Sequence, residues 1–469
     1  MLFNSFDFLL FFAVVFCVQY VLPFRPRNIF LLIASYFFYG CWDWRFLLLI
    51  FLSTVIDYFC SLAMDRHDGP LRKRWLVVSC ISNLGILGFF KYFNFFVSSA
   101  DQLLTSLGLS APQWHLNVVL PVGVSFYTFQ ALSYTIDVYR RKLKPLRNFL
   151  DFALYVTLFP QLVAGPIERG AHLAQQVTRK TPISWADIYD GSWLILKGLF
   201  KKAVIADNLA PIVDAVFTNS TADGLDVLLG IYAFAFQIYG DFSGYSDIAR
   251  GTARWMGYDL MLNFRLPYFA IDPSDFWSRW HISLSSWLRD YLYIPLGGNR
   301  GSAFSTYRNL MLTMLLGGLW HGAAWTFILW GAFHGAILVA FRLLREHDLI
   351  AASVPKLSPA WLGRVLLMFH LTCVSWLLFR ANSFEQLSRL TGALCSPWYG
   401  SEMTAHYLWK LLLLCVPLLC VHLAEELAGD LNLVRRLSLL PRALVYATTI
   451  IAILTIGSFG GREFIYFQF

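Results

Sequence analysis

Apolar runs of about 20 residues recur along most of this chain, and they limit its fold more than any other feature. The runs are continuous and dominated by Leu and Phe, as in helices that cross a bilayer. The composition agrees, because 57% of residues are hydrophobic and 14% are charged, against about 25% charged in soluble proteins. The sequence therefore predicts an all-α polytopic membrane protein. At roughly 25 to 30 residues per span and loop, its 469 residues accommodate ten or more helices.

Basic residues mark the loops that we expect in the cytoplasm. Lys and Arg number 37 against 29 Asp and Glu, and such an excess in a membrane chain indicates loop bias, not nucleic-acid binding. The first apolar run ends at Arg25 and Arg27 without a basic segment before it, so we expect a retained first helix. Alternation then predicts an extracytoplasmic N-terminus and C-terminus. The clusters that carry this prediction lie at 25–27, 66–74, 140–147, 342–364 and 435–442.

One apolar run is too short and too interrupted for an ordinary span. Residues 149–164 contain Pro160 and lie between two basic, cytoplasmic-looking stretches. Backbone of this kind is tolerated at membrane depth only when it is buried in protein or lines a cavity. We predict a re-entrant hairpin here.

No linker, low-complexity tract or fixed-period repeat divides the chain. We therefore predict one domain over residues 1–469. Within it, N-terminal helices occupy 1–148, a core with the re-entrant segment and candidate histidines occupies 149–335, and C-terminal helices occupy 336–469.

The segment 275–293 is the richest in candidate chemistry. If it forms one helix, Trp277, Trp280, His281, Leu284 and Leu288 share an apolar face. An interfacial amphipathic helix with aromatic and Arg anchors explains the same pattern. A single imidazole against buried aromatics, in a chain with ten histidines, favours a functional role for His281.

A second histidine lies deep in an apolar run with glycines around it. His321 follows Gly317 and Gly318 and precedes Gly322, and glycine permits close approach of backbone or ligand. A core histidine bonded to a carbonyl is the alternative interpretation. His334 lies 13 residues further, which is roughly 20 Å along an unbroken helix. It therefore shares a small site with His321 only if the helix is kinked.

Sequence motifs for common catalytic machinery are lacking. The chain has no nucleophile elbow, zinc-binding HExxH pair, Walker loop or dinucleotide-binding glycine fingerprint, and we predict no metal site. Imidazole remains the versatile group, because its pKa near 6.5 lets it accept a proton from a hydroxyl. Two buried histidines suit a transfer reaction in which one of them activates an acceptor alcohol.

Around these two histidines the sequence resembles the membrane-bound O-acyltransferase family, especially its bacterial alginate O-acetyltransferase branch. The likeness extends over nearly the whole chain, and the order, spacing and coupling of its short motifs to two histidines make it specific. The motifs are FFKYFN (89–94), LPVGVSFY (120–127), IDVY (136–139), AGP (164–166), DFSGYSD (241–247), NF (263–264), PY (267–268), FWSRWHISLSSWLRDYLY (276–293), GGNR (297–300), GGLWHG (317–322) and FIYFQF (464–469).

The resemblance implies a fold and a division of roles. His321 corresponds to the family's catalytic histidine and His281 to its second site position. The family fold is a ring of helices, here about 10 to 12, with re-entrant and amphipathic segments around a central tunnel that opens to the cytoplasm. Further residues are candidates for lining the tunnel or orienting the substrate, with helix anchoring as the alternative. They are Asp241, Ser243, Asp247, Arg279, Trp280, Arg289, Asp290, Asn299, Arg300 and Trp320.

The resemblance also implies a reaction. We expect no permanently bound cofactor, acetyl-CoA as the thioester donor, and surrounding membrane lipid. In the bacterial branch, an extracytoplasmic partner of the SGNH type receives the acetyl group at the inner membrane and modifies a polysaccharide such as alginate, cellulose or peptidoglycan. The alternatives are a transporter or flippase of an acylated intermediate, and a family member that uses a lipid or a D-alanyl donor.

Overall fold

The computed structural model describes residues 1–109, 114–162, 165–351 and 353–467, and every regular element in those ranges is a helix. The motif residue Ala164, with which the predicted re-entrant run ends, and the last two residues of the FIYFQF motif lie outside the described residues. The prediction of an all-α protein is confirmed.

Seven helical segments are long and apolar enough to cross a membrane, which confirms a multi-pass membrane protein. Two of these segments, of 43 and 38 residues, exceed one crossing, for which about 20 residues suffice. The ring of about 10 to 12 helices and its tunnel stay predictions. The segments are Phe24–Arg66, Gly69–Ser106, Gly224–Trp255, Trp325–Glu346, Pro359–Arg380, Thr404–Ala428 and Leu439–Ile456.

Internal contacts group the chain into two compact units. The first comprises Met1–Leu194 and Ala249–Met261, and the second comprises Ile195–Ile248 and Leu262–Phe469. The prediction of one domain with internal boundaries at 148 and 335 stays a prediction. The α-helices that begin in the first unit are Phe6–Val21, Phe24–Asp43, Leu47–Arg66, Gly69–Leu87, Phe93–Ser106, Val124–Tyr139, Phe149–Thr157, Phe159–Leu162, Gln175–Val177 and Trp185–Leu199.

The predicted re-entrant run is a short, broken helix inside the first unit. Its helix Phe149–Thr157 stops at Leu158 and resumes over Phe159–Leu162, and almost all of these side chains are buried. Polar side chains satisfy backbone groups at the break, since Phe159 N donates to Ser35 Oγ at 3.1 Å. This meets the condition under which irregular backbone is tolerated at membrane depth.

A histidine holds together two polar segments of the first unit. His172 Nδ1 lies 2.8 Å from Glu168 Oε2, and its Nε2 lies 3.6 Å from Asp259 Oδ2. Glu168 is fully buried and its Oε1 accepts a hydrogen bond from Met261 N at 2.6 Å. The carboxylates of Asp259 and Glu168 favour the charged ring and raise the pKa of His172 from 6.5 to about 10. The imidazolium therefore ties the Asp259 segment to the chain around Glu168.

Replacing His172 by glutamine is expected to lower stability in a pH-dependent way. A raised folded-state pKa stabilises fully below the unfolded value of 6.5, and the contribution declines up to the folded value of about 10. The difference in thermal midpoint between wild type and His172→Gln should therefore be largest near pH 6.5 and vanish near pH 10. Because the His172 side chain is 38% exposed, solvent screening makes this difference in thermal midpoint smaller than that of a fully buried ion pair. A difference that stays constant over this range would contradict the prediction.

The second unit carries most of the long helices and both candidate catalytic histidines. Between the helix Gly224–Trp255 and the later spans, the chain forms short helices and turns, in agreement with the absence of a spanning window there. The remaining α-helices are Asp207–Thr218, Gly224–Trp255, Pro273–Arg279, Ile282–Leu288, Ala303–His321, Trp325–Glu346, Pro359–Arg380, Phe384–Cys395, Thr404–Ala428 and Leu439–Ile456. The π-helical turns are Gly88–Tyr92 and Gly170–Ala174 in the first unit, and Phe200–Ala206 and Arg289–Tyr293 in the second.

Candidate active site

A helical hairpin positions His321. The helix Ala303–His321 ends at this residue, Gly322 is extended, and the second helix begins at Trp325. A Cβ on Gly318 would overlap the Phe327 carbonyl oxygen, so glycine allows the two helices to approach closely. His321 is 3% exposed. The chain reversal is the break that sequence analysis required before His321 and His334 could lie near one another.

His281 lies at a break in the segment that the sequence predicted as one helix. The helix Pro273–Arg279 stops, Trp280 is extended, and His281 has the left-handed conformation (φ 44°, ψ 53°) before Ile282–Leu288 resumes. The single-helix prediction is therefore wrong. A left-handed residue with a Cβ costs roughly 1 to 2 kcal/mol, so the surrounding structure must hold it in place.

Asn263 holds the turn at His281. Its carbonyl oxygen accepts from Ile282 N at 2.9 Å, and its side-chain Oδ1 accepts from Ser283 Oγ at 3.0 Å and Ser283 N at 3.3 Å. The same Oδ1 lies 3.1 Å from His281 Nδ1. An oxygen that already accepts a backbone N–H places the imidazole proton on Nδ1 in the neutral ring. The lone pair of His281 is then on Nε2.

Removing the side chain of Asn263 is expected to destabilise this turn. Asn263→Ala leaves the His281 and Ser283 donors without their acceptor, at a cost of about 2 to 3 kcal/mol in unfolding free energy. Ser246→Ala is the matched control, because Ser246 Oγ accepts a single long hydrogen bond among the described residues, from Asn263 Nδ2 at 3.3 Å. Thermal midpoints in detergent measure both effects. Equal midpoints for the two variants would contradict the assigned role of Asn263.

Aromatic rings connect the two imidazoles. The Trp320 ring lies 6.0 Å from that of His281 and 5.1 Å from that of His321, between centroids. Phe242 lies 4.6 Å from His281, and Tyr466 lies 5.6 Å from His321 and 4.8 Å from Phe242. We call these five residues the histidine centre. Apolar walls favour neutral imidazole, the form that can accept a proton.

A buried ion triad lies beside the centre. Lys202 Nζ is 2.7 Å from Asp241 Oδ1 and 2.9 Å from Asp207 Oδ1, and all three side chains are at most 5% exposed. Asp241 Oδ2 also accepts from Ile465 N at 2.6 Å. Asp241 therefore fixes the segment that presents Tyr466 to His321.

Three other predicted residues are buried in the same unit. Asp247 pairs with Lys201 at 2.8 Å, and Ser243 is 1% exposed. The Trp280 ring packs against Trp376 with centroids 4.8 Å apart. These contacts account for the burial of Asp247 and Trp280 as helix packing, and their roles in a tunnel stay predictions.

The remaining predicted residues lie outside the histidine centre. Arg279 pairs with Asp275 and with Glu426, each at 2.7 Å, and so anchors its helix. Arg289 and Asp290 pair with each other on a partly exposed π-helical turn. Asn299 and Arg300 follow this turn in the chain and are exposed, as Arg289 is, while Asp290 is partly exposed.

Three residues of the site, Lys202, Asn263 and Tyr466, are not among the site residues predicted from the sequence. Lys202 had a visible signal, because it and Lys201 lie within an apolar run where a cation needs a partner. Asn263 and Tyr466 were noticed only as parts of family motifs. No group of three or more His, Cys, Asp or Glu side chains that could hold a metal ion occurs in the ranges that the structure describes.

The fold and the site define a multi-pass membrane protein with two histidines buried in an aromatic centre. Comparison with known proteins identifies its family. The model of MBOAT, the membrane-bound O-acyltransferase family, matches residues 37–370, and the chain belongs to this family. It is therefore an O-acyltransferase.

The similar relatives act on cell-envelope or secreted polymers according to their names. The chain is 44% identical to "Probable alginate O-acetylase AlgI" of Azotobacter vinelandii, over 88% of this chain and 82% of the relative. It is 37% identical to the peptidoglycan O-acetyltransferase of Helicobacter pylori, over 77% and 72%. Identity to the teichoic acid D-alanyltransferase of Bacillus subtilis is 29%, over 59% and 73%.

Proposed function

We propose that this protein takes an acetyl group from acetyl-CoA in the cytoplasm and passes it across the inner membrane for O-acetylation of a polysaccharide. The observation that carries the proposal is the histidine centre, in which two buried imidazoles share aromatic neighbours. The 44% identity to an alginate O-acetylase supports acetyl as the transferred group.

The histidine centre supplies a base for the transfer. His321 accepts the proton of the acceptor hydroxyl, whose oxygen attacks the thioester carbonyl carbon. The new C–O bond forms, the C–S bond breaks, and the proton passes from His321 to the departing thiolate. His281, held in place by Asn263, orients the reacting groups beside the base.

The acceptor side of the proposal needs a partner. We infer that an SGNH-type protein outside the membrane receives the acetyl group and transfers it to the polymer. Alginate and peptidoglycan are supported by the names of relatives, and cellulose by the family resemblance alone. The basic loops support a cytoplasmic position for the connections that carry them, and we infer that the N-terminus and C-terminus lie outside.

A reconstituted assay tests the proposal against transport. The purified protein is placed in liposomes with acetyl-CoA labelled in the acetyl group outside and, in place of the partner, a water-soluble hydroxyl acceptor inside. Labelled ester inside and free CoA outside support the proposal. Intact labelled acetyl-CoA inside identifies a transporter. Turnover of a D-alanyl thioester in place of acetyl-CoA assigns the donor instead to the class of the teichoic acid relatives.

A further inference from the structure

A third imidazole lies beside the histidine centre with its hydrogen-bonding groups unused. His334 is 0% exposed, and neither ring nitrogen has a hydrogen-bond partner among the described residues. The buried indole nitrogens of Trp277 and Trp330 also lack partners there. The His334 ring lies 4.6 Å from that of Trp330 and 5.0 Å from that of Trp277. We call these three residues the His334 cluster.

The balance of donors and acceptors indicates what the cluster binds. A neutral imidazole offers one donor and one acceptor, and each indole offers one donor and no acceptor. The cluster therefore holds three N–H donors and a single acceptor. Buried polar groups are satisfied in nearly all proteins, by protein, water or ligand. A group that satisfies this cluster must be rich in acceptor oxygen.

The hairpin places the cluster next to the candidate base. Trp330 and His334 lie one turn apart on the helix Trp325–Glu346, and the Trp330 ring also lies 4.9 Å from that of His321. Trp277 comes from the helix that ends just before the break at His281. Phe276 stacks on His334 with centroids 6.0 Å apart and fixes the plane of the ring. The Trp330 indole therefore contacts both the base His321 and the His334 ring.

We propose that the His334 cluster binds the carbonyl oxygen of the acyl thioester and stabilises the oxyanion formed on attack. This inference rests on the proposed function. When the acceptor oxygen bonds to the carbonyl carbon, the C=O electron pair moves to the carbonyl oxygen, and the N–H groups of His334, Trp277 and Trp330 donate to it. The pair then returns, the C–S bond breaks, and the proton held by His321 goes to the thiolate. Donors aimed at developing charge act mainly on kcat.

Variants that remove one N–H at a time test the proposal. His334→Phe, Trp277→Phe and Trp330→Phe keep a ring and lose the donor, while Trp361→Phe makes the same change in a separate core cluster with Phe269. Turnover of acetyl-CoA by the full chain in nanodiscs, with the same water-soluble hydroxyl acceptor, gives kcat and KM. We expect kcat to fall about 100-fold in His334→Phe, and at least tenfold in each cluster Trp variant, with KM changed less than about threefold. His334→Gln, which restores an N–H, should recover part of kcat.

Each outcome decides between the proposals. If wild type turns over acetyl-CoA and His334→Phe has the same kcat per folded molecule, the cluster holds only buried water or packs the core, and this inference is overturned alone. The same holds if Trp361→Phe loses as much kcat as the cluster variants, or if the losses track the thermal midpoint. If wild type does not turn over acetyl-CoA, the proposed function is overturned, and this inference with it.

Discussion

Replacing His321 by alanine is expected to abolish acetylation while leaving the protein in the membrane. The imidazole is the proposed base, and loss of a positioned general base lowers rates about 10²- to 10⁴-fold. The side chain ends a helix and packs against Trp330 and Tyr466, so its removal leaves the hairpin backbone intact. Acetyl esters released by mild alkali from the envelope polysaccharide measure the effect, normalised to membrane protein.

The matched control is another histidine of the same unit. His406→Ala changes an exposed histidine on the helix Thr404–Ala428 and should leave ester content unchanged. His281→Ala should fall between the two, because its proposed role is to orient the hydroxyl. If the ester content of His321→Ala equals that of the wild type, His321 is not the general base.

Replacing Lys202 by methionine is expected to cause the largest loss of stability. The ammonium group lies between the carboxylates of Asp241 and Asp207, and its side chain is 1% exposed. Methionine keeps most of the length and none of the charge, so two buried carboxylates lose their counter-ion. Breaking a buried pair in this way costs about 3 to 5 kcal/mol. The midpoint of thermal unfolding in detergent should fall accordingly.

A second substitution separates charge from packing. In Lys202→Met, the further change Asp241→Asn removes one stranded charge and should restore part of the midpoint. Arg289→Ala is the control, because its pair with Asp290 is 63% exposed on the arginine and should contribute about 0 to 1 kcal/mol. If Lys202→Met costs no more than Arg289→Ala, the triad does not stabilise the unit.

Hydrophobic patterning predicted the helices and the two catalytic candidates, because both depend on residue type within a local window. A histidine inside an apolar run is visible in one dimension, as His321 and its neighbour Trp320 show. The break at His281 is not visible in that way. A left-handed residue leaves no periodic signal, and here it depends on hydrogen bonds that the turn donates to Asn263, 18 residues earlier in the chain.

Pairing between residues that are distant in the chain was the second feature that the sequence could not predict. Asp241 was predicted as a site residue because a charge in an apolar helix requires a partner or a functional role. Its partners Lys202 and Ile465 lie on other segments of the chain, and only tertiary packing determines that these segments approach Asp241. Arg279 shows the opposite case. Its two carboxylate partners explain it as an anchor, and its residue type alone did not distinguish an anchor from a substrate contact.

Because Tyr466 is translated near the end of the chain, its contact with the histidine centre distinguishes full-length molecules from truncated ones. The histidine centre takes Phe242 from an early helix of its unit and Tyr466 from a segment translated more than two hundred residues later. A nascent chain can insert every long helix before the centre is complete. A chain that stops or is clipped before Phe464 would therefore pass as a membrane protein by its hydrophobicity and still lack one wall of the site. Activity, not insertion, is the readout that distinguishes it from a finished molecule.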